Sequence, residues 1–454
     1  MKKNQKIRIE GAVVPGFESI RDLFERRMHS LSEIDTQLCV YHKGEKVVDL
    51  WASVIDSFNR SSGESHFSPN TLVNVFSSGK SFESIALASL AGKGLLNFND
   101  KISVYWPEFS ANGKESLTVA DLMRHEAGLV NFDTPLEPED YLTENIRRNK
   151  IGSIIERQSQ NFPKGSGNAR QYHAFTRGFI ANELFRRIDP AGRTIGEYLR
   201  KDICEPLEID VMVGVKKKEL GRVKKVTELG LFFQFMESFK PNFMKRKTIF
   251  NVFQLLLAII QVIPAIRAMT KNTLAGFKSL EYFNDTSIAM GEMPSANTHS
   301  NARSLAKIAS VMSTGGRFKG DSLIDKASSK KEILSEDAWA ALHKNPIEAK
   351  MNSLGSTTFT QAGLAFFYKT TVKNNRMERE VNEGREGFYG WMGAGGSIFQ
   401  WHPEYEIGFG YVPTSLDALD LFNTRGKAYQ SEMLQCVRRL RARDNEKSNR
   451  RKLA

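Results

Sequence analysis

The sequence predicts an α/β protein of the α+β sandwich kind: an antiparallel sheet flanked by helices, closed by the two ends of the chain. Two β-rich runs lie near the start, Thr36–Tyr41 and Lys46–Trp51, and two near the end, Gly396–Trp401 and Ile407–Val412. Between and around them, apolar residues recur at helical rather than alternating spacing.

Each element has its own signal. Phe17, Ile20, Leu23, Phe24 and Met28 share one face of a helix over Phe17–Ser30. His42-Lys43-Gly44-Glu45 separates the first two β-runs and reads as a hairpin turn. A long apolar helix is predicted over Val75–Leu96, with Gly94 as its stop, and a short one over Asp121–His125, ended by Gly128. Gln171–Ile188 is predicted helical after a Pro/Gly/Ser-rich loop, Phe162–Asn168. His402-Pro403-Glu404-Tyr405 joins the two C-terminal runs, and a last helix from about Thr424 to Arg443 frays into a charged tail. The domain division that follows is 11–415, with an apolar, Phe-rich insertion at 231–270, and then 416–454 as a helix with a basic tail.

That insertion breaks the pattern. Ile249–Ile266 is almost uninterruptedly apolar, Asn251, Gln254 and Gln261 fall on one side of its helical wheel, and Pro264 stands near its end. A buried or lid helix is the first reading, contact with a membrane surface the second, and a span the third. Lys240, Lys245, Arg246 and Lys247 beside it suit anionic headgroups.

Composition narrows the function classes. With 41% hydrophobic and 26% charged residues the chain is an ordinary globular protein. Its formal charge of +12 is diffuse, and no basic stripe interleaved with aromatics points to nucleic acid. Cys39, Cys204 and Cys436 are widely spaced, so neither a zinc site nor a disulfide framework is expected. Met1–Glu10 is basic without an apolar core, which makes a cytoplasmic location the default expectation.

The chemistry is carried by Phe76-Ser77-Ser78-Gly79-Lys80-Ser81. Residues three apart on a helix share a face, so Ser77 and Lys80 can meet. A serine in the first helical turn sits at the positive end of the dipole, and a lysine in a dry pocket gives up its proton more easily. Together they make a nucleophile without histidine. Chance alone gives on the order of two Ser-x-x-Lys matches in a chain of this length. Two others occur: Ser328–Lys331 in a polar loop, and Ser304–Lys307 on what reads as an exposed helix face. Only Ser77 stands between a β-rich segment and a long apolar helix. Gly79-Lys80-Ser81 also ends like a phosphate-binding loop, but Asn74 occupies the place of the required first glycine.

Tyr172, in Gln171-Tyr172-His173-Ala174, is a candidate acid or base, since a tyrosine near a cation can hold its proton loosely. Gly390-Trp391-Met392-Gly393-Ala394-Gly395-Gly396-Ser397 implies close backbone approach, and an exposed N–H there could form an oxyanion hole with the N–H of Ser77. His125 has no G-x-S-x-G elbow to serve and reads as a structural hydrogen bonder.

These segments resemble the class C β-lactamases and penicillin-binding-protein-like serine hydrolases, and especially the family VIII carboxylesterases. The resemblance runs from about Gly16 to Tyr411. Its carriers are Val47-Val48-Asp49-Leu50-Trp51, Thr71 through Lys80, and Tyr105-Trp106-Pro107-Glu108-Phe109. Leu122 through Leu129, Tyr172-His173-Ala174, Pro294-Ser295-Ala296-Asn297 with Ala302-Arg303, and Gly393 through Ser397 complete them. It implies a sandwich with an antiparallel sheet, a mostly helical second region, and an active site between the two. It implies an acyl-enzyme on Ser77, proton transfers shared by Lys80 and Tyr172, an oxyanion hole from the N–H groups of Ser77 and Ala394, and no metal or organic cofactor. Trp391, Gly393 and Gly395 would border the substrate pocket. The sequence departs from the lactamases where Trp391-Met392-Gly393 replaces Lys-Thr-Gly, and where Tyr-His-Ala replaces Tyr-x-Asn. Both changes lean toward a neutral, lipid-like ester and away from a carboxylate-bearing β-lactam. A non-catalytic scaffold is the runner-up reading, and a peptidase or transpeptidase acting on peptide amides the third.

Overall fold

The computed structural model describes residues 6–55, 67–163, 170–241, 244, 246–318, 331–351 and 355–453. The predicted loop Phe162–Asn168 therefore falls largely outside the described residues, as does Ser328.

Six strands form the main sheet: β1 (Lys6–Val13), β2 (Asp35–His42), β3 (Glu45–Ile55), β4 (Tyr389–Met392), β5 (Ile398–His402) and β6 (Ile407–Pro413). Their order is β1-β3-β2-β6-β5-β4, every pair antiparallel, so the two ends of the chain meet where β2 pairs with β6. The predicted closure of the sheet by both ends of the chain is this β2–β6 ladder. β1 and β4 are edge strands that the sequence reading did not name.

The helices that matter to the site are α1 (Glu18–Ser30), α2 (Lys80–Gly92), α3 (Thr176–Ile188), α4 (Leu231–Ser238), α5 (Val252–Thr270), α6 (Ala302–Ser313) and α7 (Thr424–Leu453). On one sheet face, Phe17 and, in α1, Ile20 and Phe24 bury against Leu38, Val48 and Phe409, with Tyr429, Met433 and Val437 of α7 completing the layer. The helix after residue 416 thus shares the sheet's own core. On the other face α6 packs closely against β6. A Cβ at Gly410 would lie 2.4 Å from the carbonyl of Ala302, so glycine lets helix and strand approach. Beyond α6 and α2 a second, mostly helical region continues the same core through Phe82, Leu122, Phe179 and Phe185.

Two expectations are corrected here. Ser304 is buried, and its hydroxyl accepts the backbone N–H of Asp210, so Ser304–Lys307 is no exposed face. Packing of α6 onto the sheet overrides the polar look of the preceding turn. The helix predicted from Gln171 begins only at Thr176, because Gln171 and His173 give their N–H groups to His125 instead of to a helix.

Candidate active site

The nucleophile candidate sits at a junction. A two-residue strand, Val73–Asn74, pairs with Thr298–Ser300 and leads into a single 3-10 turn, Phe76–Gly79, that runs directly into α2. The Asn74 side chain accepts the N–H of Phe76 at 2.8 Å, and Phe76 is held at φ +47°, a left-handed conformation uncommon outside glycine. The turn therefore presents Ser77 at the helix start while burying Ser78 and Gly79. Ser78 Oγ lies 3.0 Å from Ser397 Oγ, and Ser397 donates to the carbonyl of Val75 at 2.6 Å, which ties the turn to the glycine-rich segment before β5.

Lys80 is fully buried. Its Nζ lies 2.8 Å from the carbonyl of Ala174, 3.0 Å from that of Ser295 and 3.3 Å from Ser77 Oγ. Burial pushes this amine well below the ordinary lysine range; the Arg177 charge acts the same way, and Glu83 opposes both. A neutral amine has two N–H bonds and one lone pair. In that neutral form, with the two carbonyls taking the N–H bonds, the lone pair would face the Ser77 hydroxyl 3.3 Å away.

Tyr172 approaches from the opposite side, its hydroxyl donating to Ser77 Oγ at 2.6 Å. Its ring centroid lies 4.9 Å from that of His125 and 5.9 Å from that of Trp391. A nearby cation does act to loosen its proton, as expected, but it is not the largest influence. Burial raises the phenol above its usual range and outweighs the opposing hydrogen bond to Ser77 and the Arg177 charge. Tyr172 is a proton donor through the neutral range.

Under this pair lies a support that the sequence reading missed. Glu83 and Arg177 form an ion pair at 2.7 Å with neither side chain exposed. Arg177 also donates to the carbonyls of Lys80, Met123 and Gly363, and Ser295 donates to the second oxygen of Glu83. A lone acid one turn past Lys80 in a mostly apolar helix, and an arginine in the first turn of another apolar helix, are the available signals. His125 is buried and neutral, accepting the N–H of His173 at 3.0 Å. His173 likewise accepts the N–H of Leu129, which is the structural role read for His125.

The glycine-rich turn lies against the nucleophile. A Cβ at Gly393 would meet the carbonyl of Val75 at 2.3 Å, so only glycine allows the contact. Asn423 donates to the carbonyls of Gly393 and Ser397, and Arg425 holds that of Gly395. Among the described residues the N–H groups of Ser77 and Ala394 have no backbone acceptor, as an oxyanion hole requires. Trp391 gives its indole N–H to the carbonyl of Gly363 and stacks on Phe359.

A cavity of about 550 Å³ opens above Ser77, within the range of small-molecule sites. Tyr172, Trp391, Gly393, Ala394 and Gly395 border it; Lys80 lies behind its wall. Phe175, Phe277, Phe283 and Phe359 give it an aromatic lining. Its charged lining residues balance, Glu228 and Asp420 against Arg267 and Lys278. Leu231 and Gln234 of α4, with Ile263 and Ile266 of α5, form one side. Among the described residues no three His, Cys, Asp or Glu side chains converge as a metal site would need.

Proton-transfer groups packed around one hydroxyl at a cavity mouth suit hydrolysis through a covalent intermediate. The family model described as Beta-lactamase matches residues 20–430, and the chain belongs to that family. It is 25% identical over 320 residues to the Esterase/beta-lactamase LipL of Mycobacterium tuberculosis (strain ATCC 25618 / H37Rv), a match covering 69% of this chain and 66% of that protein. The chain thus matches slightly less than two thirds of that relative's length. A penicillin-binding protein homologue from Caulobacter crescentus superposes with a TM-score of 0.68 at 25% identity, covering 93% of this chain and 100% of the other. A family VIII carboxylesterase structure shares the fold with a TM-score of 0.72 at 22% identity, covering 94% and 100%.

Proposed function

We propose that the protein is a carboxylesterase that forms an acyl-enzyme on Ser77 and takes neutral esters with an apolar acyl chain. The observation that carries this reading is Ser77 Oγ held between the Tyr172 hydroxyl and a buried amine, beneath an aromatic cavity. Ser77 Oγ attacks the ester carbonyl carbon while its proton passes to Lys80 Nζ. The developing oxyanion is received by the N–H groups of Ser77 and Ala394. As the carbon–oxygen bond to the alcohol breaks, the leaving oxygen takes a proton from Tyr172, which is resupplied from Lys80. Water then cleaves the acyl ester with the same groups acting in reverse order.

Substrate class follows from the walls. The residue beside the nucleophile is an indole whose N–H is already committed to Gly363, and the charged lining groups are two of each sign. A neutral ester loses nothing there, whereas a carboxylate would enter an apolar site without a dedicated cation. The name of the Mycobacterium tuberculosis relative, Esterase/beta-lactamase LipL, includes ester chemistry. Purified protein assayed on short and long acyl esters, a β-lactam and peptide amides tests the reading. Hydrolysis of esters with preference for longer acyl chains is expected; activity confined to peptide amides or the β-lactam would overturn it.

A further inference from the structure

The wall of the cavity has a second, outward side. α4 and α5 pack on one another and turn one face inward: Leu255 and Val262 bury against Leu419, while Ile263 and Ile266 line the cavity. The opposite faces meet solvent with large apolar side chains. Phe232 is 78% exposed, Phe253 69% and Ile260 68%, and Met236, Phe239 and Leu256 stand beside them. Scattered exposed apolar residues are ordinary, but this many on two adjoining helices form a patch of the kind that marks an interaction surface.

The geometry points to this two-helix cap as a docking surface for an anionic lipid bilayer, on which α4 and α5 lie flat with the active cavity behind them. Three observations select that occupant. First, Leu231–Lys271 carries one carboxylate, Glu237, against five cations, Lys240, Lys245, Arg246, Lys247 and Lys271, besides Arg267 on the cavity side. An apolar face rimmed by cations fits the headgroup boundary of anionic lipid, at roughly a fivefold gain per cation near the surface. Second, although α5 is long and apolar enough to cross a bilayer, Leu255 and Val262 bury against Leu419 and Ile263 and Ile266 line the cavity, so one face is held by the protein and the helix rests on the membrane plane. Third, a second copy of the chain seated by two-fold symmetry would set this cationic rim against itself. The helices whose outer faces would touch lipid have inner faces that line the cavity, so an acyl chain has a short apolar route to Ser77. That last point rests on the esterase reading; the docking itself does not.

Vesicle co-sedimentation with the full chain tests it, using phosphatidylcholine alone and phosphatidylcholine with phosphatidylserine. Wild type and Ser77→Ala should bind the anionic vesicles equally, with affinity falling roughly tenfold or more on neutral vesicles or in high salt. Phe232→Ser/Phe253→Ser/Ile260→Ser should lose binding while keeping wild-type hydrolysis of a soluble short ester, which reports that the fold is intact. Equal binding by the triple variant, no binding of wild type to either vesicle, or a wild-type dimer that the triple variant dissociates would overturn the proposal. Vesicle binding without ester hydrolysis would leave the docking surface standing and overturn the esterase reading instead.

Discussion

The floor and the cap of one cavity are built on opposite principles. The floor, α2 with the Glu83–Arg177 pair beneath it, has every side chain from Lys80 to Leu90 buried. Its charges are paired, and the Arg177 guanidinium satisfies three carbonyls as well as Glu83. The cap, α4 and α5, buries only a thin inner seam and leaves its larger apolar side chains in solvent. Proton transfer needs groups fixed within a few tenths of an ångström, and the floor supplies that rigidity. Admission of a substrate needs a wall that can part, and elements with few buried contacts open most readily.

The largest effect expected from breaking the floor is on turnover. Lys80→Met keeps the length of the stem but removes the base, and kcat should fall by roughly 10²–10⁴-fold, read by steady-state ester hydrolysis beside an unchanged thermal melt. Next comes stability. Glu83→Ala leaves the Arg177 charge buried without its partner, a change that costs about 3–5 kcal/mol in comparable sites, to be read as a lowered denaturant midpoint.

The pH profile sharpens the same contrast. A base works only when deprotonated, and burial holds the Lys80 amine well below the ordinary value. kcat/KM should therefore rise through an ionisation below about 10.4, the unperturbed lysine value, and reach its plateau before it. Tyr172 is shifted upward, so no fall from loss of its proton should follow in the neutral range. A profile still climbing beyond the ordinary lysine value would contradict the buried-base account. The smallest effect concerns the cap: native-state hydrogen exchange should find amides of Val252–Thr270 exchanging faster than those of Lys80–Gly92. Equal protection would make the cap as rigid as the floor.

What the sequence reveals follows the distance over which a signal acts. Ser77 and Lys80 are one helical turn apart, so their meeting can be read locally, and the glycines at 393 and 395 announce a close approach without saying to what. Tyr172 can be singled out as a candidate acid or base, but its meeting with Ser77 comes only from the resemblance, because the clip that aims it, Gln171 and His173 onto His125, joins residues about 46 apart. The Glu83–Arg177 pair spans 94 positions, and nothing local to either residue names the other. Burial misleads in the same way: Ser304 looks exposed and is covered by α6 packing, while the Tyr172 proton is set by desolvation more than by its charged neighbours. The apolar run at 231–270 is the reverse case. Its composition is plain, but which face turns inward is decided by Leu419 and Leu421, some 150 residues away.

The most direct test of the central claim is active-site labelling with a fluorescent fluorophosphonate, comparing wild type with Ser77→Ala. One covalent adduct is expected on wild type, abolished by the substitution, since Ser77 has both the Lys80 amine and the Tyr172 hydroxyl at hand. Labelling that persists in folded Ser77→Ala protein, or its absence from a folded wild type, would contradict it.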